Sequence, residues 1–342
     1  MDTILVTGGT GYIGSHTVVE LINEGYRVVI ADNLSNSDIG VLDGIEAITG
    51  VRPGFEKIDL CDGTALREFS LRHSEIKAVI HFAASKAVGE SVEEPLLYYR
   101  NNLVSLMNLL EEMQQRSVSS LVFSSSCTVY GQPDKLPVTE SAPVKKAESP
   151  YGNTKKISED IISDCIKSNS SLKSISLRYF NPIGAHPSAL IGELPRGVPD
   201  NLVPFITQTA SGLRKELKVF GNDYNTPDGS CIRDYINVTD LARAHVVAIK
   251  RLLENKSREN YEVFNLGTGR GVSVLEMIRT FEKVNSLKLN YSITSRRPGD
   301  IEQVWADTTL ANRELGWKAE SSLEETLVSA WKWEQNYRNK QK

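Results

Sequence analysis

The chain has 342 residues, 40% hydrophobic and 24% charged, an ordinary globular composition with room for two domains or for one large domain carrying an insertion. Its 39 basic against 43 acidic side chains leave a net charge of −4 with no long basic run, which argues against a nucleic-acid partner. No apolar run approaches the roughly 20 residues of a membrane span, Cys61, Cys127, Cys165 and Cys231 are scattered without a CxxC, and the five histidines lie far apart, so a membrane anchor, a disulfide framework and a metal site are all disfavoured.

A strand-like run, Thr3-Ile4-Leu5-Val6, begins almost at once and leaves no room for a signal peptide, so a cytoplasmic location is expected. In chain order, Thr3–Val6, Arg27–Ala31, Phe55–Ile58, Ala78–Phe82, Ser120–Ser124 and Ser174–Arg178 read as strands. His16–Glu24, Thr64–His73, Pro95–Arg116 and Ser149–Ser168 read as helices between them. Such alternation predicts an α/β fold, a parallel sheet covered by helices on both faces. Several of the strands are apolar almost throughout, as doubly buried strands should be. After Arg178 the texture changes: Asn181–Asp200 reads as a loop and Gly221–Ser230 as a second irregular stretch. Val238–Leu253 and Val274–Val284 read as helices, Tyr261–Leu266 as a strand, and Asn339–Lys342 as a frayed tail.

The first strand runs into Thr7-Gly8-Gly9-Thr10-Gly11-Tyr12-Ile13-Gly14, readable as GxGxxG (Gly9, Gly11, Gly14) or as GxxGxxG (Gly8, Gly11, Gly14). Glycines between a strand and a helix allow a tight turn and close approach of a pyrophosphate to the N–H groups of the helix start. Asp32 ends the second strand 18 residues past Gly14, where a carboxylate holds ribose hydroxyls and repels a 2′-phosphate, favouring NAD over NADP. Asp59, ending the third strand, is a candidate for the adenine edge.

The strand ending in Ser124-Ser125-Ser126 points its C-terminus toward the ligand crevice of such a sheet. Downstream, Tyr151-Gly-Asn-Thr-Lys155 places a phenol and an ammonium four apart, on one helix face. A cation beside a phenol lowers its pKa from about 10 toward neutrality. Tyr151 is therefore the expected general base on an alcohol, Lys155 its activator and ribose anchor, and Ser126 a hydroxyl on the substrate oxygen.

With these elements in place, the chain resembles the extended short-chain dehydrogenase/reductase superfamily and, more narrowly, the UDP-glucose (UDP-galactose) 4-epimerase family. The resemblance runs from Thr7–His16 to Trp305-Ala306-Asp307 and includes Asp32-Asn33-Leu34, Lys86-Ala87-Val88-Gly89-Glu90-Ser91 and Ser124-Ser125-Ser126-Cys127-Thr128-Val129-Tyr130-Gly131. Arg178-Tyr179-Phe180-Asn181-Pro182, Phe220-Gly221-Asn222-Asp223-Tyr224 and Arg233-Asp234-Tyr235-Ile236 belong to it as well. Cys127 departs from it, since these epimerases more often carry alanine there. The resemblance implies a Rossmann-type doubly wound sheet with a smaller C-terminal substrate lobe. Residues 1–180, rejoined by 236–268, should hold NAD, and 181–235 with 269–338 should mainly hold the UDP-hexose.

It implies NAD contacts from Gly8, Gly11, Tyr12, Ile13, Gly14, Asp32, Asn33, Asn36, Asp59, Leu60, Phe82, Ala83, Lys86, Asn101, Ser124, Tyr151, Lys155 and Tyr179. It implies a nucleotide grip by Asn181, Asn201, Leu202, Arg233, Arg297 and Asp300, with Lys86, Ser126, Tyr151, Tyr179, Phe180 and Val304 toward the sugar. The implied reaction is C4 epimerisation through a 4-keto sugar that turns over between two hydride transfers, on tightly held NAD. Val304 precedes Trp305, where family members confined to unacetylated sugars resemble one another in carrying tyrosine. Valine leaves room for an N-acetyl group, so UDP-N-acetylglucosamine and UDP-N-acetylgalactosamine are expected substrates too. A homodimer is expected, through Pro95–Arg116 and Ser149–Ser168. The nearest rival, a nucleotide-sugar 4,6-dehydratase, resembles this chain but carries an Asp-Glu pair where Cys127-Thr128-Val129-Tyr130 stands here. A binding-only regulator would have no use for Ser126, Tyr151 and Lys155 together.

Overall fold

A computed structural model of the chain describes residues 1–297 and 300–340; Pro298 and Gly299 of the Arg296–Asp300 motif and the last two tail residues, Gln341 and Lys342, lie outside the described residues. Six strands, β1 (Thr3–Thr7), β2 (Arg27–Asp32), β3 (Gly54–Lys57), β4 (Ile76–His81), β5 (Ser120–Ser124) and β6 (Lys173–Tyr179), are joined by a seventh, Tyr261–Leu266. All pair in parallel, in the order Tyr261–Leu266, β6, β5, β4, β1, β2, β3. The order reverses between β1 and β4, which opens a crevice beyond their C-terminal ends. This is the Rossmann-type doubly wound α/β fold.

Pleating explains the apolar runs. Ile4 and Val6 of β1 face a core with Val18 and Leu21 of the helix Tyr12–Asn23 and Leu241 and Ile249 of the helix Val238–Leu253. Leu5, between them, faces the opposite core with Leu66, Phe69, Leu106, Leu109 and Ile162. A third cluster, including Ile206, Val219, Met277, Phe281 and Leu327, forms the interior of the C-terminal lobe, where Leu217–Phe220 pairs with Tyr291–Thr294.

Several expectations need correction. The first helix starts at Tyr12 rather than His16, because the glycine loop itself supplies its first turn. The segment read as one helix, Pro95–Arg116, is Pro95–Tyr99, a wider π-helical turn Arg100–Val104, and Ser105–Gln115, preceded by a helix Val88–Glu93. The stretch read as a loop from Asn181 opens with a strand, Asn181–Ile183, whose backbone pairs in parallel with Tyr235–Asn237. Helices Val41–Thr49 and Leu323–Lys340 were not anticipated, and the latter takes in Asn339 and Lys340 of the expected tail. The stretch Gly221–Ser230 is irregular, as read.

Candidate active site

The glycine loop is shaped for a phosphate. Gly8 has φ +69°, and a Cβ on it would lie 2.7 Å from the backbone nitrogen of Ala83. A Cβ on Gly14 would run into the carbonyl oxygen of Gly8. The first turn, Tyr12-Ile13-Gly14, has neither a side-chain cap nor an acidic residue, so its N–H groups and positive dipole end are available to an anion. The residues therefore fit a dinucleotide pyrophosphate.

Asp32 is buried at the end of β2 and accepts from Thr10 N at 3.2 Å, Leu34 N at 2.9 Å and Ser37 Oγ at 3.1 Å. These bonds fix the carboxylate beside the loop. Asn33 donates to Asp59 Oδ2 at 3.4 Å, and Asp59 Oδ1 accepts from Cys61 N, so both lie together at the β2–β3 edge. Leu60 is buried beneath them, while Asn36 is exposed. Ala83 and Phe82 follow β4, with the Phe82 ring 4.7 Å from that of His245. Asn101 lies in the π-helical turn and donates to Ser85 Oγ at 3.1 Å.

At the other side of the crevice, Ser149 Oγ caps the helix Pro150–Ser168 by accepting from Gly152 N at 3.2 Å, and Pro150 presets its first turn. Tyr151 therefore stands in the first turn and Lys155 in the second, both buried. Lys155 Nζ donates to Ser124 O at 2.7 Å and lies 4.9 Å from the centre of the Phe123 ring and 5.9 Å from that of Tyr151. Ser124 Oγ meets Tyr179 OH at 2.9 Å, and Ser126 Oγ accepts from Thr128 N at 3.2 Å and Thr128 Oγ1 at 3.0 Å. The serine tip of β5, the phenol and the ammonium form one buried group, with the partly buried Tyr179 at its edge.

The electrostatics differ from expectation. Burial, reinforced by Tyr179, holds the Tyr151 phenol well above its ordinary value, and only the Ser126 hydroxyl pulls it down appreciably. Burial also lowers Lys155 to about 8, against the pull of the Glu159 carboxylate. The ammonium donates to the Ser124 carbonyl, and burial is the largest influence on the phenol. The lysine alone does not bring Tyr151 toward neutrality.

Of the residues expected on the nucleotide, Asn201 donates to Glu193 Oε1 at 2.7 Å just before Leu202 opens the helix Leu202–Ala210. Lys86 reaches Glu193 at 3.7 Å and lies 6.0 Å from the centre of the Tyr12 ring. Asn181 follows Phe180, which is buried with Val304, Val129, Tyr130, Val138 and Ala306. The strand Ile232–Arg233 lies between Val272–Ser273 and Gln303–Val304, so Arg233 and Val304 are direct backbone partners. Arg297, half exposed, donates to Asp300 Oδ1 at 2.8 Å, its guanidinium 5.5 Å from the Phe220 ring centre.

Four further contributors were not singled out from sequence. Asn102 donates to Ser85 O and Thr154 Oγ1, both at 3.0 Å, tying the π-helical turn to the Tyr151 helix. Asp234, fully buried within a quoted motif, accepts from Thr268 N and Oγ1, Gly269 N and Ala306 N, fixing the strands around Arg233. Glu159 lies one turn beyond Lys155, an acid on the buried stripe of its helix, which was a legible signal. Arg196 donates to the carbonyls of Leu34, Ser35 and Ser37 at 3.1, 2.7 and 2.6 Å, across the gap to the Asp32 loop, and no local pattern announces it.

A profile of the family described as "GDP-mannose 4,6 dehydratase" matches residues 5–329. The chain is 50% identical over 337 residues to UDP-glucose 4-epimerase 2 of Arabidopsis thaliana, covering 98% of this chain and 95% of that one. It superimposes on the UDP-glucose-4-epimerase of Stenotrophomonas maltophila, solved with NAD and formylated UDP-arabinopyranose, with a TM-score of 0.95 at 47% identity, covering 99% and 100% of the two chains. The enzyme of Bifidobacterium longum, solved with NAD+ and UDP, gives 0.93 at 44% identity, with 98% and 99% covered. Full-length matches of this identity decide the relationship: the chain belongs to the UDP-glucose 4-epimerase family of the extended short-chain dehydrogenase/reductases.

Proposed function

We propose that the protein interconverts UDP-galactose and UDP-glucose by inverting C4′ through a 4-keto sugar, using NAD that it retains from cycle to cycle. The observation that carries this is the meeting of buried Ser126, Tyr151 and Lys155 with the partly buried Tyr179 at the C-terminal end of β5, beside the crevice that the glycine loop and Asp32 line. Gly8, Gly11 and Gly14 with the N–H groups of Tyr12 and Ile13 hold the pyrophosphate, Asp32 holds the adenosine ribose, and Lys155 holds the nicotinamide ribose.

Tyr151 takes the proton of the 4′-hydroxyl and later returns it, with Ser126 orienting that oxygen. Bound there, NAD+ would supply a reversible hydride acceptor for C4′ and a positive charge that favours the ionised phenol. Arg233 and Arg297 grip the diphosphate, and Asn181, Asn201, Leu202 and Asp300 the rest of the nucleotide, leaving the sugar free to turn. The residues 1–180 with 236–268 form the cofactor part, and 181–235 with 269–338 the substrate part.

Val304 lies beside Phe180 in a small apolar cluster, and with valine there the pocket also takes the N-acetylated UDP-sugar pair. The protein works as a homodimer: Leu96, Leu97 and Met107 are exposed on the helical region expected to face a second copy. No helix among the described residues is long and apolar enough to cross a membrane, and four free thiols suit a reducing cytoplasm.

Assay of the NAD-bound protein with UDP-glucose, UDP-galactose and their N-acetylated counterparts tests the reading. Conversion within both pairs is expected; conversion of none of the four ends it. Tyr151→Phe should lower kcat about 10²- to 10⁴-fold with NAD still bound.

A further inference from the structure

Behind the reacting group lies a chain of contacts that the proposed mechanism does not use. Ser125 is fully buried between Ser124 and Ser126, and its hydroxyl donates to Glu159 Oε1 at 2.5 Å. Arg178 Nε donates to the same oxygen at 3.0 Å, and its terminal nitrogen to Oε2 at 2.5 Å. Arg178 in turn lies 4.9 Å from the centre of the Tyr130 ring, whose hydroxyl donates to Asn265 Oδ1 at 2.6 Å. Both partners of the ion pair are buried.

The geometry is a two-point staple. Lys155 and Glu159 stand four apart on one helix face, and Ser124 and Ser125 are neighbours on the tip of β5. Lys155 reaches the Ser124 carbonyl at 2.7 Å and Ser125 reaches Glu159 at 2.5 Å. One contact alone would let the helix pivot on the strand tip; two fix it. Fixing it sets where Tyr151, one turn before Lys155, meets Ser126, one residue after Ser125. Arg178 neutralises the buried carboxylate and holds it toward Ser125, since a buried charge without a partner is strongly destabilising.

We infer that Ser125 and Glu159 are positioning residues, which align the Tyr151 phenol with the Ser126 hydroxyl for proton transfer while touching neither substrate nor cofactor. The inference rests on the epimerase reading above.

Ser125→Ala is the decisive variant, because it removes one hydroxyl and leaves the Arg178–Glu159 pair whole. In the NAD-bound protein, kcat for UDP-galactose should fall about tenfold, while KM and the amount of NAD bound stay within about twofold, since misplacement of reacting groups acts on the chemical step. Unchanged kcat overturns the inference. So does a loss of NAD and of UDP-galactose binding in proportion to kcat, which would mark a merely structural contact. Wild-type protein run alongside separates the two claims. An inactive wild type sinks the epimerase reading and this inference with it, and an active wild type beside an unaffected variant sinks the inference alone.

Discussion

Burial makes Lys155 a weaker base than an exposed lysine. An unfolded chain keeps a lysine proton to about pH 10.4, whereas in the folded protein burial brings Lys155 down to about 8. Between those values the folded state binds fewer protons than the unfolded one, so stability gains as pH rises through the window. In NAD-free protein, the melting temperature of wild type should therefore rise relative to that of Lys155→Met from pH 8 to 10; a gap constant with pH would show that the amine keeps its proton. Val304 makes a second residue-level claim. Val304 is buried in its cluster, and on its proposed place beside the sugar Val304→Tyr should cut turnover of the N-acetylated pair about tenfold more than that of the plain pair. Rates on all four UDP-sugars check it.

The helix Pro150–Ser168 shows how a capping residue sets the place of Tyr151 in the first turn. Because Tyr151 lies in its first turn, loss of the Ser149 cap frays the helix at the working residue. Ser149→Ala should cost about 1 kcal/mol in urea unfolding and reduce kcat. This helix, its Pro150 start and the contiguous apolar strands were legible because their signals are local: a cap, a period, a β-branched run. The placement of Tyr151, Lys155, Ser126 and Asp32 was legible for the same reason, each sitting at a fixed place on such an element. The π-helical turn was not, and its Asn102 bonds Thr154, a partner 52 residues away that no local pattern announces. Nor was the strand Asn181–Ile183, which exists only because Tyr235–Asn237 arrives beside it. The phenol's electrostatics failed for a related reason: spacing shows that a lysine is near, but burial, which outweighs it here, is set by the whole fold.

Across the whole molecule, Arg196 joins parts that the sequence keeps apart. Its segment also carries Glu193, which meets Lys86 and Asn201, so one stretch of backbone touches both the substrate side and the Leu34–Ser37 loop next to Asp32. Arg196→Ala should speed release of NAD about tenfold, read by its retention through gel filtration, while kcat at saturating NAD stays within about twofold. Unaltered retention would show that the loop holds its shape unaided. The ribbon around Arg233 has a different consequence. Because Arg233 and Val304 share one rung, a substitution at Val304 acts directly beside the backbone that carries Arg233. On the roles proposed for Val304 and Arg233, substitutions that widen sugar choice are expected to alter the grip on the nucleotide as well.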